Sequence, residues 1–260
     1  MLSKPQLDIQ LKDNKKLFFA SDFHLGVPDY SSSRERERII VRWLDKVAPE
    51  AEAIILLGDM FDFWFEYKYA VPKGYIRFLG KLAQLRDQGI TLYIFTGNHD
   101  MWMFDYLEKE LDVRIFRHPI SLRVNDTDFH IGHGDGLGPS DRTFKILKKI
   151  FASELSQRVF AALHPRWGIG LANFWSKTSR KKNLKKDESF KGKDLEWIFQ
   201  YCRELEEKVH HDYYVFGHRH LPLEIPLNKT SCYYNIGEWL SARSYGVFDG
   251  HHFSLQTFEK

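Results

Sequence analysis

Cysteine is scarce in this sequence, with only Cys202 and Cys232 among 260 residues. The two cysteines have neither Cys-x-x-Cys spacing nor the Cys/His spacing of a zinc finger, so a finger is excluded. They fall in segments that read as a helix and a strand. A reduced, intracellular protein is therefore the simpler interpretation.

Long hydrophobic runs are also missing. The first 16 residues are polar throughout and lack the apolar stretch of about 7–15 residues that a signal peptide needs. No segment approaches the roughly 18 consecutive apolar residues of a membrane span. We therefore expect a cytoplasmic protein, and any contact with a membrane should be peripheral.

The sequence has little excess of either charge. Its 38 basic and 35 acidic side chains give a formal net charge of +3. That balance gives no argument for a nucleic-acid partner, and none is expected. A hydrophobic content of 43%, with 15% aromatic residues, can supply a substantial core for one large domain or two small ones.

Short apolar runs rich in β-branched and aromatic residues predict eight strands. They are Leu17–Ala20, Ala53–Leu57, Thr91–Phe95, Ile120–Val124, Phe129–Ile131, Tyr213–Phe216, Tyr233–Ile236 and Ser244–Phe248. A helix with serines as N-cap candidates and Pro49 as its stop should separate the first two, and a second should span about 75–88. This alternation predicts an α/β fold with βαβ units. The closer spacing of the later strands, with a turn at Asn125, suggests a second, more antiparallel sheet.

The strand pattern stops between about 139 and 211. Apolar residues from Phe144 to Leu163 recur there at helical spacing, which predicts an inserted helical cap. The stretch 177–194 then holds eight basic and three acidic residues, and we expect a mobile basic loop. Since no repeat or linker separates this insertion, residues 1–260 are predicted to form a single domain.

Five short motifs each follow an apolar run directly. Because the carboxyl ends of strands in an open α/β sheet meet at one edge, motifs distant in sequence can converge there. The motifs are Asp22-Phe23-His24, Gly58-Asp59-Met60-Phe61-Asp62, Gly97-Asn98-His99-Asp100, Gly132-His133-Gly134-Asp135 and Gly217-His218-Arg219-His220.

The side chains in these motifs suit a metal centre. Carboxylate, imidazole and carboxamide groups without thiolates favour Mn²⁺, Fe²⁺ or Zn²⁺ over Mg²⁺ or Ca²⁺. The seven candidate ligands are Asp22, His24, Asp59, Asn98, His133, His218 and His220. They are enough for two ions if one carboxylate bridges them, and Asp59 is the natural bridge. Two such ions can orient a water molecule and neutralise charge on phosphoryl oxygens.

Each motif alone has an ordinary structural explanation. Gly-Asp pairs are common in turns, and an Asp-x-His after a strand can serve as a cap. The Gly-His-x-His motif could form an isolated site for one metal ion. The five motifs in this order are far harder to explain by structural roles, so a catalytic metal centre is the better hypothesis.

The order D-x-H, GD-x-x-D, GNHD, GHGD, GH-x-H resembles the calcineurin-like metallophosphoesterase family. The resemblance implies a four-layer α/β/β/α sandwich. It places one metal ion on Asp22, His24, Asp59 and His220, and the other on Asp59, Asn98, His133 and His218. It also makes His99 the residue that protonates the leaving group or binds phosphate, with Asp100 orienting it and Asp62 as a third catalytic candidate.

Three segments are similar to the branch of this family that hydrolyses UDP-2,3-diacylglucosamine to UMP and 2,3-diacylglucosamine 1-phosphate in lipid A synthesis. They are DFHLG, GDMFDFW, and HGDGLGPSD followed by the insertion. The resemblance implies Mn²⁺ as the cofactor, a lipid-linked nucleotide sugar as the substrate, and peripheral contact with the inner membrane. The better-known members have arginine at the position of His99, whereas histidine is typical of the broader family.

The cap has two interpretations of comparable merit. Its apolar residues could pack the cap onto the body of the protein, or they could line a groove for acyl chains. Its basic residues could be a solvated surface, or they could face anionic lipid or the diphosphate. The position of the family's cap makes Asp141, Asn173, Ser176 and Arg180 candidates for substrate contacts.

Two other functions remain open. A broad-specificity phosphodiesterase or phosphatase would act on soluble substrates through the same metal ligands. A nuclease would explain the basic cap, but its aromatic residues are not interleaved with the basic run as a single-strand groove requires.

Overall fold

The computed structural model describes residues 5–139, 142–170, 190 and 192–259, apart from the side chains of residues 142–144. Within these ranges twelve strands form two sheets of six strands each. The strands are β1 (Leu7–Ile9), β2 (Lys16–Ala20), β3 (Ala51–Leu56), β4 (Thr91–Phe95), β5 (Arg114–Phe116), β6 (Ile120–Val124), β7 (Thr127–Gly132), β8 (Tyr213–Phe216), β9 (Pro222–Pro226), β10 (Cys232–Ile236), β11 (Ser244–Phe248) and β12 (Phe253–Thr257).

The described α-helices are α1 (Tyr30–Val47), α2 (Ile76–Asp87), α3 (Tyr106–Leu111), α4 (Arg142–Ala152), α5 (Glu154–Ala162) and α6 (Trp197–Glu206). Residues 165–170 are also helical, and short 3₁₀ turns occupy Ala48–Glu50 and Lys193–Leu195. None of the helices in the described ranges combines the length and the apolar character needed to cross a bilayer.

Both sheets are mixed. The first has the order β12-β11-β2-β3-β4-β5 and the second β1-β6-β7-β8-β10-β9. Each contains three parallel and two antiparallel pairs of strands. The predicted hairpin at Asn125 is present between β6 and β7, where φ is 51°. The prediction that the second sheet is more antiparallel is wrong, because β8 pairs in parallel with both of its neighbours.

Side chains that alternate along the strands build separate layers of core. In β2, Leu17 and Phe19 point between the two sheets, while Phe18 and Ala20 face α1 and α2. On the outer face of the second sheet, Ile198 of α6 packs with residues of β8 and β10. The helices, the two sheets and α6 make the expected four-layer α/β/β/α sandwich.

The ends of the helices differ in detail from the predictions. The N-cap of α1 is Asp29, whose carboxylate accepts from the backbone N–H of Ser32, whereas the serines of this segment lie inside the helix. Helix α2 lies where it was predicted. Strands β1, β5, β9 and β12 were not predicted; two of them have only three residues, and β9 is an edge strand with Pro222 and Pro226 at its ends.

The described part of the cap attaches through aromatic contacts. Phe160 lies 4.7 Å from Phe65 and 4.8 Å from Trp102 between ring centroids. The segment 144–163 contains parts of two helices rather than one. Ser153 interrupts the helix, and its side chain caps the N-terminus of α5. The predicted cap limits of about 139–211 include α6, which packs on the sheet. Of the predicted basic loop, residues 177–189 and 191 lie outside the described residues.

Candidate metal centre

The loops that follow β2, β3, β4, β7 and β8 meet at one edge of the paired sheets. Backbone hydrogen bonds continue across these loops beyond the ends of the strands. The Asp22 and His24 N–H groups donate to the carbonyls of Gly58 and Asp59, at 3.0 and 2.9 Å. Gly217 donates to the carbonyl of His133 at 3.0 Å. The loops therefore hold the predicted ligands at fixed positions.

Asp22, His24 and His220 form the first group of candidate ligands. The His220 and His24 Nε2 atoms lie 3.1 and 3.5 Å from Asp22 Oδ1, and 3.0 Å from each other. Burial raises the pKa of Asp22, but the neighbouring His220 imidazole outweighs it and keeps the pKa well below its usual value. The carboxylate is therefore ionised and faces two imidazole nitrogens.

Asp59, His133 and His218 form the second group. The His133 Nδ1 atom donates to the Leu57 carbonyl at 2.8 Å, which directs Nε2 toward Asp59 Oδ2, 3.2 Å away. The Asn98 Oδ1 atom lies 3.4 Å from the same Nε2. Burial lowers the pKa of His133, but the Asp59 carboxylate raises it to about 10. Burial and the charge of His133 lower the pKa of His218 to about 4.

Asp59 belongs to both halves of the centre. Its Oδ2 atom lies 3.2 Å from His133 Nε2 and 3.8 Å from His24 Nε2, so one oxygen faces a histidine of each group. Its Oδ1 atom accepts from the N–H of His99 at 2.9 Å. Burial alone would raise the pKa of Asp59, but His133 and the other nearby imidazoles lower it overall.

The two oxygens of Asp22 show that the residues fit a cation. Oδ2 accepts hydrogen bonds from the Ser21 hydroxyl and from the backbone N–H of His218. Oδ1 is buried and accepts no hydrogen bond of good geometry, although the Nε2 atom of His220 lies 3.1 Å away. An unpartnered carboxylate oxygen is costly in a protein interior, and a bound cation removes that cost. The surrounding nitrogen and oxygen donors, without sulfur, suit a borderline-hard divalent ion.

Five of the seven candidate ligands have left-handed backbone conformations. Their φ values are 57° at Asp22, 43° at His24, 53° at Asp59, 70° at His218 and 54° at His220. Residues other than glycine adopt this region rarely, and clusters of such residues mark functional sites.

Gly97 is required beside the ligands. A Cβ atom at this position would lie 2.6 Å from Asp59 Cγ. The glycine therefore lets the loop after β4 approach the shared carboxylate.

His99 lies against the first group. Its ring is 4.9 Å from that of His24 between centroids and perpendicular to it. The Nδ1 atom donates to the Asp62 carbonyl at 2.9 Å, and the Asp62 Oδ1 atom lies 3.7 Å from it. The same carboxylate oxygen is 3.6 Å from His24 Nδ1. Asp62 therefore orients both rings.

Asp100 occupies a different position from the one the sequence suggested. Its buried carboxylate accepts from the backbone N–H groups of Gly97, Asp59, Met60 and Phe61, at 2.7–3.4 Å. It joins the loops after β3 and β4. The expectation that Asp100 orients His99 is therefore replaced by a structural role, because the carboxylate next to the His99 ring is that of Asp62.

A sequence comparison agrees with this geometry. The description of the matching family is calcineurin-like phosphoesterase, and the match covers residues 15–222. That range includes all seven candidate ligands. The chain belongs to this family. Membership in the calcineurin-like phosphoesterases implies divalent metal ions, and the two groups of Asp and His residues are the candidates to hold them.

Curated relatives of this phosphoesterase share one name. A protein of Porphyromonas gingivalis called UDP-2,3-diacylglucosamine hydrolase is 36% identical over 256 residues, which cover 94% of this chain and 98% of the relative. A protein of the same name from Hamiltonella defensa is 27% identical over 206 residues, or 78% and 76% of the two chains. The Haemophilus influenzae protein is 26% identical over 180 residues, or 67% and 72%.

Several residues that support the phosphoesterase site were not predicted from sequence. Arg36 is buried in α1 and donates to the carbonyls of Phe23, His24 and Val27, at 2.5–2.7 Å. Asn235 donates to the Gly217 carbonyl. The position of Arg36 in the run RERER reads as a solvated charged face, so the sequence held no signal for its role.

Arg219 connects the last ligand loop of the phosphoesterase to α6. Its guanidinium lies 2.9 and 3.0 Å from the two oxygens of Glu196 and 4.5 Å from the centroid of the Trp197 ring. Both charged side chains are buried. This contact fixes the loop that carries His218 and His220.

Four residues of the cap are predicted to contact the substrate. Asp141, Asn173, Ser176 and Arg180 all lie outside the described residues.

Asp100→Asn should lower the stability of this phosphoesterase. The substitution replaces one acceptor oxygen with an NH₂ donor that faces backbone N–H groups, so we expect a loss of about 2–4 kcal/mol in the free energy of unfolding. Urea denaturation followed by circular dichroism measures it. Asp62→Asn is the matched comparison and should lose less, because the Asp62 carboxylate lies beside the rings of His24 and His99 and does not join two loops. Equal stabilities of the Asp100→Asn variant and the unmodified protein would contradict the structural role.

Proposed function

We propose that this chain hydrolyses the pyrophosphate bond of UDP-2,3-diacylglucosamine and releases UMP and 2,3-diacylglucosamine 1-phosphate. The main support is 36% identity along nearly the full length of a relative named for this substrate. The two ligand groups, with Asp59 of the second group facing His24 of the first, add the chemistry that the reaction needs.

The proposed centre holds two divalent ions, with Mn²⁺ as the best fit to its nitrogen and oxygen donors. Asp22, His24, Asp59 and His220 would bind one ion, and Asp59, Asn98, His133 and His218 the other. Such ions orient the attacking water and neutralise charge on the phosphoryl oxygens. The protein's own contribution is to hold these ligands on loops that are hydrogen-bonded to one another.

His99 is the proposed general acid. Its ring borders the first ligand group and is 23% exposed, so it is accessible from the substrate side. The bond from Nδ1 to the Asp62 carbonyl fixes the tautomer, and the Asp62 carboxylate stabilises the protonated ring. In this role His99 delivers a proton to the oxygen of the phosphate group that is displaced when the pyrophosphate bond breaks.

The cap supports a lipid substrate. Ile146, Ile150, Leu155, Val159 and Trp167 are between 49% and 73% exposed. Ile146 and Ile150 lie one turn apart on α4, and Leu155 and Val159 lie one turn apart on α5, so each helix presents an exposed apolar strip of the kind that binds lipid or protein. We propose that this surface receives the acyl chains and brings the protein to the cytoplasmic face of the inner membrane as a peripheral protein.

Hydrolysis of the lipid substrate, compared with a soluble analogue, tests the proposal. With Mn²⁺ present, the protein should release UMP from detergent-dispersed UDP-2,3-diacylglucosamine far faster than from UDP-N-acetylglucosamine, which has no long acyl chains. Ile150→Asn should raise KM for the lipid substrate by about tenfold, since each buried methylene contributes about 0.8 kcal/mol.

Ile76→Asn is the matched control. Ile76 is 78% exposed on α2, outside the cap, and its substitution should leave KM unchanged. Comparable activity on soluble phosphodiesters and none on the lipid substrate would instead favour the alternative, a broad-specificity phosphodiesterase or phosphatase.

A further inference from the structure

A cavity of about 350 Å³ lies between α4 and the loops that follow β4, β5 and β7. The candidate ligand His133 forms part of its wall, so the cavity adjoins the second ligand group. Phe95 and Thr96 line it at the end of β4, and Arg117 and His118 line it after β5. Its volume is at the lower end of the range for small-molecule sites.

The lining of this cavity is positively charged. Helix α4 contributes Lys145, Lys148 and Lys149, whose spacing of three and four residues places them on one face. Together with Arg117 they face a single lining carboxylate, that of Asp135. The Lys148 Nζ atom lies 2.6 Å from Asp135 Oδ2, so this one acid is already paired. The balance favours an anionic ligand.

The neighbouring face of α4 is apolar, in contrast to the basic face that lines the cavity. Ile146 and Ile150 are 59% and 49% exposed and do not line the cavity. The helix therefore separates a basic cavity from an apolar surface. A diphosphate with one lipid half and one nucleotide half is divided in a matching way, into an apolar part and an anionic part.

We propose that the cavity binds the nucleoside 5′-phosphate half of the substrate, which leaves as the nucleotide product. This inference rests on the proposed function. The lysines would neutralise the phosphate, and Pro119, Leu137 and Ala152 give apolar walls for the ribose and the pyrimidine. Acyl chains carry no charge that the lysines could neutralise, and inorganic phosphate would fill only a small part of the cavity.

Equilibrium binding of UMP to the Mn²⁺-loaded protein, measured by titration calorimetry, tests the cavity without turnover. Lys149 is exposed, and Lys149→Glu should weaken UMP binding at least about tenfold, because it replaces an attractive charge with a repulsive one. Arg158→Glu makes the same change on α5, outside the cavity lining, and should alter UMP binding less than about twofold. Circular dichroism verifies that both variants fold.

A second variant and two smaller ligands sharpen the test. Lys145→Gln should weaken UMP binding about fivefold, and uridine and inorganic phosphate should each bind more weakly than UMP. Phosphate binding as tight as UMP binding would overturn the assignment, because it would show a simple anion site. Equal UMP affinity in Lys149→Glu and the unmodified protein would also overturn it.

The two proposals fail separately. If the unmodified protein releases no UMP from the lipid substrate, the proposed function fails. If it does release UMP while Lys149→Glu binds UMP normally, the function stands and the cavity assignment falls.

Discussion

Asp59→Asn is expected to lower kcat/KM for the proposed substrate by about 10³-fold or more, which corresponds to about 4 kcal/mol of transition-state stabilisation. The reason is the position of Oδ2, which faces His133 of one ligand group and His24 of the other. Asparagine keeps the shape of the side chain but removes the charge that both proposed ions need. The measurement is UMP release at saturating Mn²⁺.

Metal content distinguishes this explanation from unfolding. Asp59→Asn should retain the circular dichroism spectrum of the folded protein and bind less than two ions per chain by elemental analysis. Asp112→Asn is the control, because Asp112 pairs with Arg86 on the surface and is 97% exposed. If Asp59→Asn kept both ions and full turnover, the shared-carboxylate mechanism would be wrong.

His99→Gln should lower kcat by about 10²–10³-fold and change KM by less than about threefold. Glutamine can still donate a hydrogen bond but cannot deliver a proton at neutral pH. Steady-state kinetics with the lipid substrate give both parameters. Because Asp62 orients the ring through its backbone carbonyl and carboxylate, Asp62→Asn should show a smaller loss of kcat, about tenfold.

His251→Gln, in the exposed turn between β11 and β12, is the control for His99. A variant of His99 that raised KM and preserved kcat would assign the residue to phosphate binding and exclude the role of general acid.

The sequence predicted that the candidate ligands lie together, because each of their motifs directly follows a strand. Once Leu17–Ala20 and Ala53–Leu57 are identified as buried strands, the topology of an α/β sheet places the residues after them at one edge. The prediction needed only residue type, order and strand ends. The structure then brought Asp22, Asp59 and His133 to the same edge.

The orientation of the supporting groups could not be predicted in this way. The family resemblance implied that Asp100 orients His99, yet the chain turns Asp100 inward to four backbone N–H groups. Asp62 reaches the ring from another loop. Such contacts depend on how loops pack, and sequence spacing carries no record of that packing.

The prediction of a more antiparallel second sheet failed for a related reason. The closer spacing of the later strands and the turn at Asn125 suggested antiparallel pairing, but β8 enters between β7 and β10 after the insertion and α6. The length of that connection allows a parallel crossover. Periodicity identifies a strand but not its neighbours.

The left-handed backbone at five candidate ligands has a consequence for protein engineering. Each such residue costs of order 1–3 kcal/mol, and glycine would remove most of that cost. Selection for heat resistance alone should therefore enrich glycine at Asp22, His24, Asp59, His218 and His220. Every variant gained in that way would lose a side chain from the centre, so a screen for thermostable forms of this protein must select for turnover at the same time.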